Sequence, residues 1–221
     1  MPDIQQKIKQ IRGDVLTASF SAHACHIGSA LSCVDILVDL FYNILKDGDV
    51  FIFSKASGVA TLYSILADKG YFKKSDIAYY LKNYPLPSKE VPGVIHSVGS
   101  LGHGLPVAVG MAYADRTRNV YVLMGDGECQ EGTTYESALF ARQHNLDNLY
   151  VIVDNNGLQA MGKTNDILGL DTAFDFLERT LPNIRIEKTI KGKGVYFMEN
   201  NYSWHYKNLD VNLLERALNQ I

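Results

Sequence analysis

Ile4, Ile8, Ile11, Val15 and Leu16 recur at the spacing of one helix face, so the chain opens on an amphipathic helix. Ser32 and Asp35 have the spacing of a capping box ahead of Ile36, Leu37, Leu40, Phe41 and Ile44, and predict a second helix from that point. Asp49 to Phe53 reads as the first strand and Thr61 to Lys69 as a helix, with Ser75 as the cap of a short helix ending near Lys82. From Asn83 to Val98 the periodicity disappears, and a stretch of that length is more typical of a binding loop than of a connector. A helix near Val107 to Ala114 precedes the apolar run Val120 to Met124, Thr133 to His144 reads as a helix, and Leu149 to Val153 is a second apolar run. A helix over Asp171 to Thr180, a strand over Ile184 to Ile190, a glycine-lysine loop and a terminal helix over Val211 to Gln220 complete the chain. Helices alternating with near-continuous apolar strands predict an α/β fold with a doubly wound, mostly parallel sheet and helices on both faces.

The two apolar runs end in residues with hard oxygen donors. Asp126 follows the first in Gly125-Asp126-Gly127 and Asn156 follows the second in Asp154-Asn155-Asn156, thirty residues apart. If the strands are neighbours, a carboxylate and an amide oxygen meet at one sheet edge, where a magnesium ion would take its remaining ligands from water and from substrate phosphates. A phosphorylated cofactor is thereby expected, with Gly127 letting its backbone approach the phosphate closely.

This pattern, GDGECQEG through VDNNGLQAMG, resembles the thiamine diphosphate-binding half of a transketolase. CHIGSALS (25 to 32), SKASGVATLYSILADKGYF (54 to 72), PGVIHSVGSLGHGLPVAVGMA (92 to 112) and KTIKGKGVYFMENNYSWH (188 to 205) agree in order. The resemblance implies Asp126, the side chain of Asn156 and the main-chain oxygen of Leu158 as ligands of Mg2+ (or Ca2+ or Mn2+), and Gly127 as the amide that meets the diphosphate. It implies Gly99, Ser100 and Leu101 as the loop bordering the pyrimidine ring. His26 is implied near the reacting centre, His205 as reaching diphosphate and substrate, and Glu131 at a subunit interface. His23, His96 and His144 carry no such context, and His103 stands where the family usually has Gln.

Three departures accompany the match. Ser57 replaces a family histidine that contacts the diphosphate, and Leu86 before Pro87 stands for another that holds the carbon-1 hydroxyl of a ketose donor. Only Lys163 to Asn183 joins the Asn-Asn loop to the next matching strand, so the fold is expected to be shortened after Gly162. Loss of both histidines predicts a donor without that hydroxyl, such as pyruvate or a 1-deoxy ketose.

The resemblance covers residues 1–221 as a single diphosphate-binding domain, and the pyrimidine-binding domain that completes such sites is expected on a partner chain. Two of each chain, an α2β2 heterotetramer, is the expected assembly. The expected activity is a transketolase-like transferase moving a two-carbon unit from a ketose or 2-oxo acid donor to an aldehyde or ketone acceptor. The alternatives are a decarboxylating carboligase or 2-oxo acid dehydrogenase-like component, and a catalytically silent binding subunit.

Composition removes other classes. A net charge of -3 over 221 residues gives no electrostatic footprint for nucleic acid. No run approaches the roughly eighteen apolar residues of a membrane span, and MPDIQQKIKQIRGD is a polar helix start and not a signal peptide. Cys25, Cys33 and Cys129 lack metal-ligand spacing, and their odd number predicts thiols in a reducing, cytoplasmic setting.

Overall fold

The computed structural model describes residues 3–221. Met1 and Pro2, the first positions of the expected polar helix start, lie outside the described residues. In chain order the helices and strands are α1 (Ile4–Ala22), α2 (Ile27–Ser32), α3 (Val34–Asp39), β1 (Val50–Phe53), α4 (Val59–Asp68), α5 (Ile77–Asn83), α6 (Gly104–Ala114), β2 (Val120–Gly125), α7 (Gly132–Gln143), β3 (Leu149–Asn155), α8 (Thr164–Ile167), α9 (Asp171–Thr180), β4 (Ile184–Lys188) and α10 (Val211–Leu218). They form two compact units: Met1–Leu45 with Ser57–Ser97 and Thr189–Ile221, and Lys46–Ala56 with Val98–Lys188.

The second unit holds the sheet. Its four strands lie in the order β1-β2-β3-β4 and all pair in parallel. The register sets Gly125 against Asp154, so β2 and β3 end side by side. Residues 120–124 and 151–154 are buried throughout, as strands covered on both faces require, whereas β4 is partly exposed along its length. On one face α6 packs on β1, β2 and β3, while α7 packs against α6 and α9. Val122, Met124, Val151, Val153, Leu105 and Ala108 belong to this core. A fully buried Val, Leu or Met in such a core contributes roughly 1.5–3 kcal/mol.

The first unit is helical, with α1 packed against α3, α4, α5 and α10. Asp3 caps α1 by accepting from the Gln5 amide, and Asp210 caps α10 by accepting from the Leu213 amide. Asp68, near the end of α4, accepts from Lys7 (2.8 Å), Gln10 (2.6 Å) and the Tyr42 hydroxyl, with Lys74 at 3.2 Å. Burial opposes its ionised form, but these donors outweigh it and hold the carboxyl well below the usual carboxylate range.

Two expected caps are absent. Ser32 lies inside α2, where its hydroxyl donates to the Ser29 carbonyl, and Cys33 occupies the cap position of α3. Helix formation has already begun at Ile27, leaving no open turn for Ser32 to cap. Ser75 sits within the 3-10 turn Lys74–Asp76 and donates to the Asp76 side chain, so it does not cap α5.

Candidate active site

The second unit brings one set of expected residues to the carboxyl ends of its strands. Asp126 opens a 3-10 turn directly after β2 and is buried. One of its oxygens accepts from the Gly127 amide at 2.8 Å and the other from the Gly157 amide at 2.7 Å. Burial pushes the Asp126 carboxyl up, and the nearby Lys55 charge opposes that rise. Asn156, half-buried after β3, accepts from the Leu158 amide at 3.1 Å, which tethers the loop carrying Leu158. A carboxylate or amide oxygen that accepts one such bond retains a second lone pair for another partner.

These are hard oxygen donors, and their chemistry fits a magnesium ion that keeps some of its water. Among the described residues no group of three or more His, Cys, Asp or Glu side chains is placed to hold a metal ion. Such a group would not include the candidate set, which rests on one carboxylate, one amide and one main-chain oxygen. A Cβ added at Gly127 would come within 3.3 Å of the Gln159 side chain, a tight approach that a small shift of that side chain would relieve.

The same edge contains charged residues that sequence reasoning missed. Lys55, two residues after β1, pairs with Asp154 of β3 at 3.0 Å, and both are buried. Glu128 is also buried and accepts from the Ser54 hydroxyl, from the Gly125 amide at 2.8 Å and from the Gly102 amide at 3.0 Å. Ser54 in turn accepts from the Gly104 amide at 3.2 Å. Burial pushes the Glu128 carboxyl up despite these donors and Lys55. Asp154, directly after the apolar run of β3, signals that a buried counter-charge is needed, but nothing in the sequence says which residue supplies it.

Gly99, Ser100 and Leu101 are exposed in the loop that this network anchors. Gly102 closes the loop with φ +76°, and a Cβ there would meet Thr133 Oγ1 at 2.5 Å. At Gly104 an added Cβ would fall 2.4 Å from the Ser54 side chain, so the first turn of α6 lies directly on the end of β1. Glu131 is exposed at the position preceding α7. His103 is likewise exposed, before α6.

The first unit brings together the two expected histidines. His26 precedes α2 with φ 66°, a left-handed backbone uncommon for a residue other than glycine. Its amide donates to the His205 carbonyl at 2.8 Å, and the imidazoles meet edge to face with centroids 4.6 Å apart. His205 ends the 3-10 turn Tyr202–His205, beside Tyr206. A cavity of about 150 Å³ opens next to His26, lined by Ala22, Ala24, Val59, Ala60, Leu81 and Ser57 among others. Leu86 is partly exposed, and its carbonyl accepts from the Tyr63 hydroxyl at 3.0 Å.

The chain belongs to the transketolase family, matching its thiamine diphosphate binding domain over residues 4–180. It is an enzyme component of the transferase class that these proteins form. Among relatives it is 35% identical to one subunit of the apulose-4-phosphate transketolase of Actinobacillus succinogenes, over 99% of this chain and 96% of that protein. The protein of the same name from Phocaeicola vulgatus is also 35% identical, over 91% of this chain and 88% of its own length. Human transketolase is 29% identical, and the chain spans 43% of it. The crystal structure of transketolase from Campylobacter jejuni superimposes with a TM-score of 0.88 at 26% identity, over 98% of this chain and 42% of that one. The alignment with the Actinobacillus protein runs over 265 positions, more than the 221 residues present, so that relative has residues lacking here.

Proposed function

We propose that the chain is the diphosphate-binding subunit of a split, Mg2+-dependent transketolase-like enzyme. Joined to a partner chain carrying the pyrimidine-binding domain, it moves a two-carbon unit from a ketose or 2-oxo acid donor to an aldehyde or ketone acceptor. The observation that carries this reading is the match over nearly the whole length of a relative named as one subunit of a transketolase. Thiamine diphosphate supplies the carbanion chemistry when bound, and the protein supplies position and electrostatics.

In this reading Asp126, Asn156 and the main-chain oxygen of Leu158 hold the metal, and Gly127 receives the diphosphate. Gly99, Ser100 and Leu101 border the pyrimidine ring. His26 stands near the reacting centre, His205 reaches the diphosphate and the substrate, and Glu131 lies against another subunit. The assembly is α2β2 and acts in the cytoplasm. No helix among the described residues is long and apolar enough to cross a membrane.

Calorimetry on the reconstituted two-chain complex tests the proposal. Thiamine diphosphate is expected to bind only with Mg2+ present, and Asp126→Ala should abolish that metal-dependent binding. His26→Ala should leave binding intact and slow turnover; the reverse pattern would exchange the assigned roles.

A donor lacking the carbon-1 hydroxyl is favoured by Ser57 and Leu86 standing where the family has histidines; of the two, Ser57 lines the cavity beside His26, together with His23 and Lys82. Competition between pyruvate and a ketose phosphate decides this point, and preferential use of the ketose phosphate would refute it.

A further inference from the structure

The two imidazoles of the first unit are held in the same way at the same ring atom. His26 Nδ1 lies 3.5 Å from the Sγ of Cys25, its chain neighbour. His205 Nδ1 lies 3.3 Å from the Nζ of Lys191, which is buried. An ammonium has three donors and no acceptor, so it can hydrogen-bond Nδ1 only when that nitrogen is unprotonated. Burial pushes the Cys25 thiol up, so at neutral pH the sulfur keeps its proton and can serve as a donor too. A neutral imidazole accepting at Nδ1 carries its proton on Nε2.

Lys191 can be buried here because its loop is closed tightly. The Gly192 amide donates to the Gly28 carbonyl at 2.9 Å, and the Asn200 amide to the Lys191 carbonyl at 2.9 Å. The lysine stem lies against α2, since a Cβ added at Gly28 would come within 3.3 Å of Lys191 Cγ. The main-chain bond from His26 to the His205 carbonyl joins the two ring-bearing segments, so their separation is fixed by backbone as well as by ring contact.

We propose that Cys25 and Lys191 are positioning residues that set His26 and His205 in one common tautomer, with Nδ1 accepting and Nε2 carrying the proton. Two such donors suit an oxygen that gains negative charge, such as the carbonyl oxygen of a ketose or 2-oxo acid when a carbon nucleophile adds to its carbonyl carbon. That substrate assignment rests on the function proposed above; the tautomer assignment rests on the two Nδ1 contacts and on the protons carried by the atoms that make them.

Nitrogen-15 labelling of the histidine rings in the full chain, read by long-range proton–nitrogen correlation at neutral pH, tests the assignment. Single histidine substitutions identify the signals among the six histidines. The expected spectrum shows unprotonated Nδ1 and protonated Nε2 for both His26 and His205. Cys25→Ala should shift the His26 signals toward a mixture of tautomers, and Cys25→Ser, which retains a donor, should restore them. Lys191→Met should do the same to His205 alone. In the reconstituted enzyme Cys25→Ala should lower kcat on the order of tenfold with KM little changed, and Cys25→Ser should recover most of it.

A protonated Nδ1 in the unsubstituted chain overturns the proposal without any variant having to fold. So does a His26 spectrum indifferent to Cys25→Ala. A tautomer shift in Cys25→Ala with undiminished turnover would sustain the assignment and refute the catalytic reading of His26.

Discussion

Asp68 in the helical unit and Glu128 in the sheet unit are both carboxylates enclosed by donors, yet their environments act in opposite directions. Asp68 is met by the lysines Lys7 and Lys74, by Gln10 and by the Tyr42 hydroxyl, and its acidity is strengthened. Glu128 is met by a hydroxyl and two main-chain amides in a deeper setting, and burial weakens its acidity. The first is a staple between helices, stabilising because its charge is balanced. The second holds a loop beside the candidate metal site, and its burial works against its charge. Perturbation of that kind clusters where proteins bind or transform ligands.

The largest expected effect lies at the sheet edge. Lys55→Met removes the ammonium facing buried Asp154 and should lower unfolding free energy by about 3–5 kcal/mol, read by urea denaturation. A loss below about 1 kcal/mol would mean that the ion pair is not what sustains the edge.

Asp68→Asn should cost about 1–2 kcal/mol at neutral pH. Because the folded pKa of Asp68 lies below its ordinary 3.8, its stabilisation is fully present above that value and is lost as pH falls through and beneath it. Denaturation midpoints of the native chain should therefore drop through this acid range with a component missing from Asp68→Asn. Lys7, Lys74, Asp14, Lys69 and Tyr42 are the other ionisable groups around it. Equal acid sensitivity in both proteins would remove the contrast with Glu128.

Glu128→Gln keeps the side-chain shape but replaces one acceptor oxygen by a donor, and should cost about 1 kcal/mol. Its sharper readout is hydrogen exchange, with the Gly102 and Gly104 amides expected to exchange faster than in the native chain. The smallest change belongs to Lys74→Ala. That side chain is 45% exposed, so the loss should stay under about 1 kcal/mol.

Much of this architecture is legible in the sequence because period and burial coincide. The helix Asp171–Thr180 falls at the bounds its pattern predicts, and β1, β2 and β3 each lie on an apolar run where burial on both faces leaves no alternation to misread. The helix Ile27–Ser32 gives no such signal, since IGSALS is short, contains glycine and serine, and begins on a left-handed His26 that no propensity foretells. At the candidate site, the adjacency of Asp126 and Asn156 can be anticipated from spacing alone, because parallel neighbours bring strand ends together. Lys55 and Glu128 escape because their partners, Asp154 and Gly102, lie 99 and 26 residues away in sequence, and no local pattern encodes such pairings.

The close seating of Gly104 on Ser54 has a consequence for variation. A saturation library at position 104 should recover glycine almost alone, even though the residue touches no expected ligand. A missing methyl group thus decides which sequences survive at the start of α6.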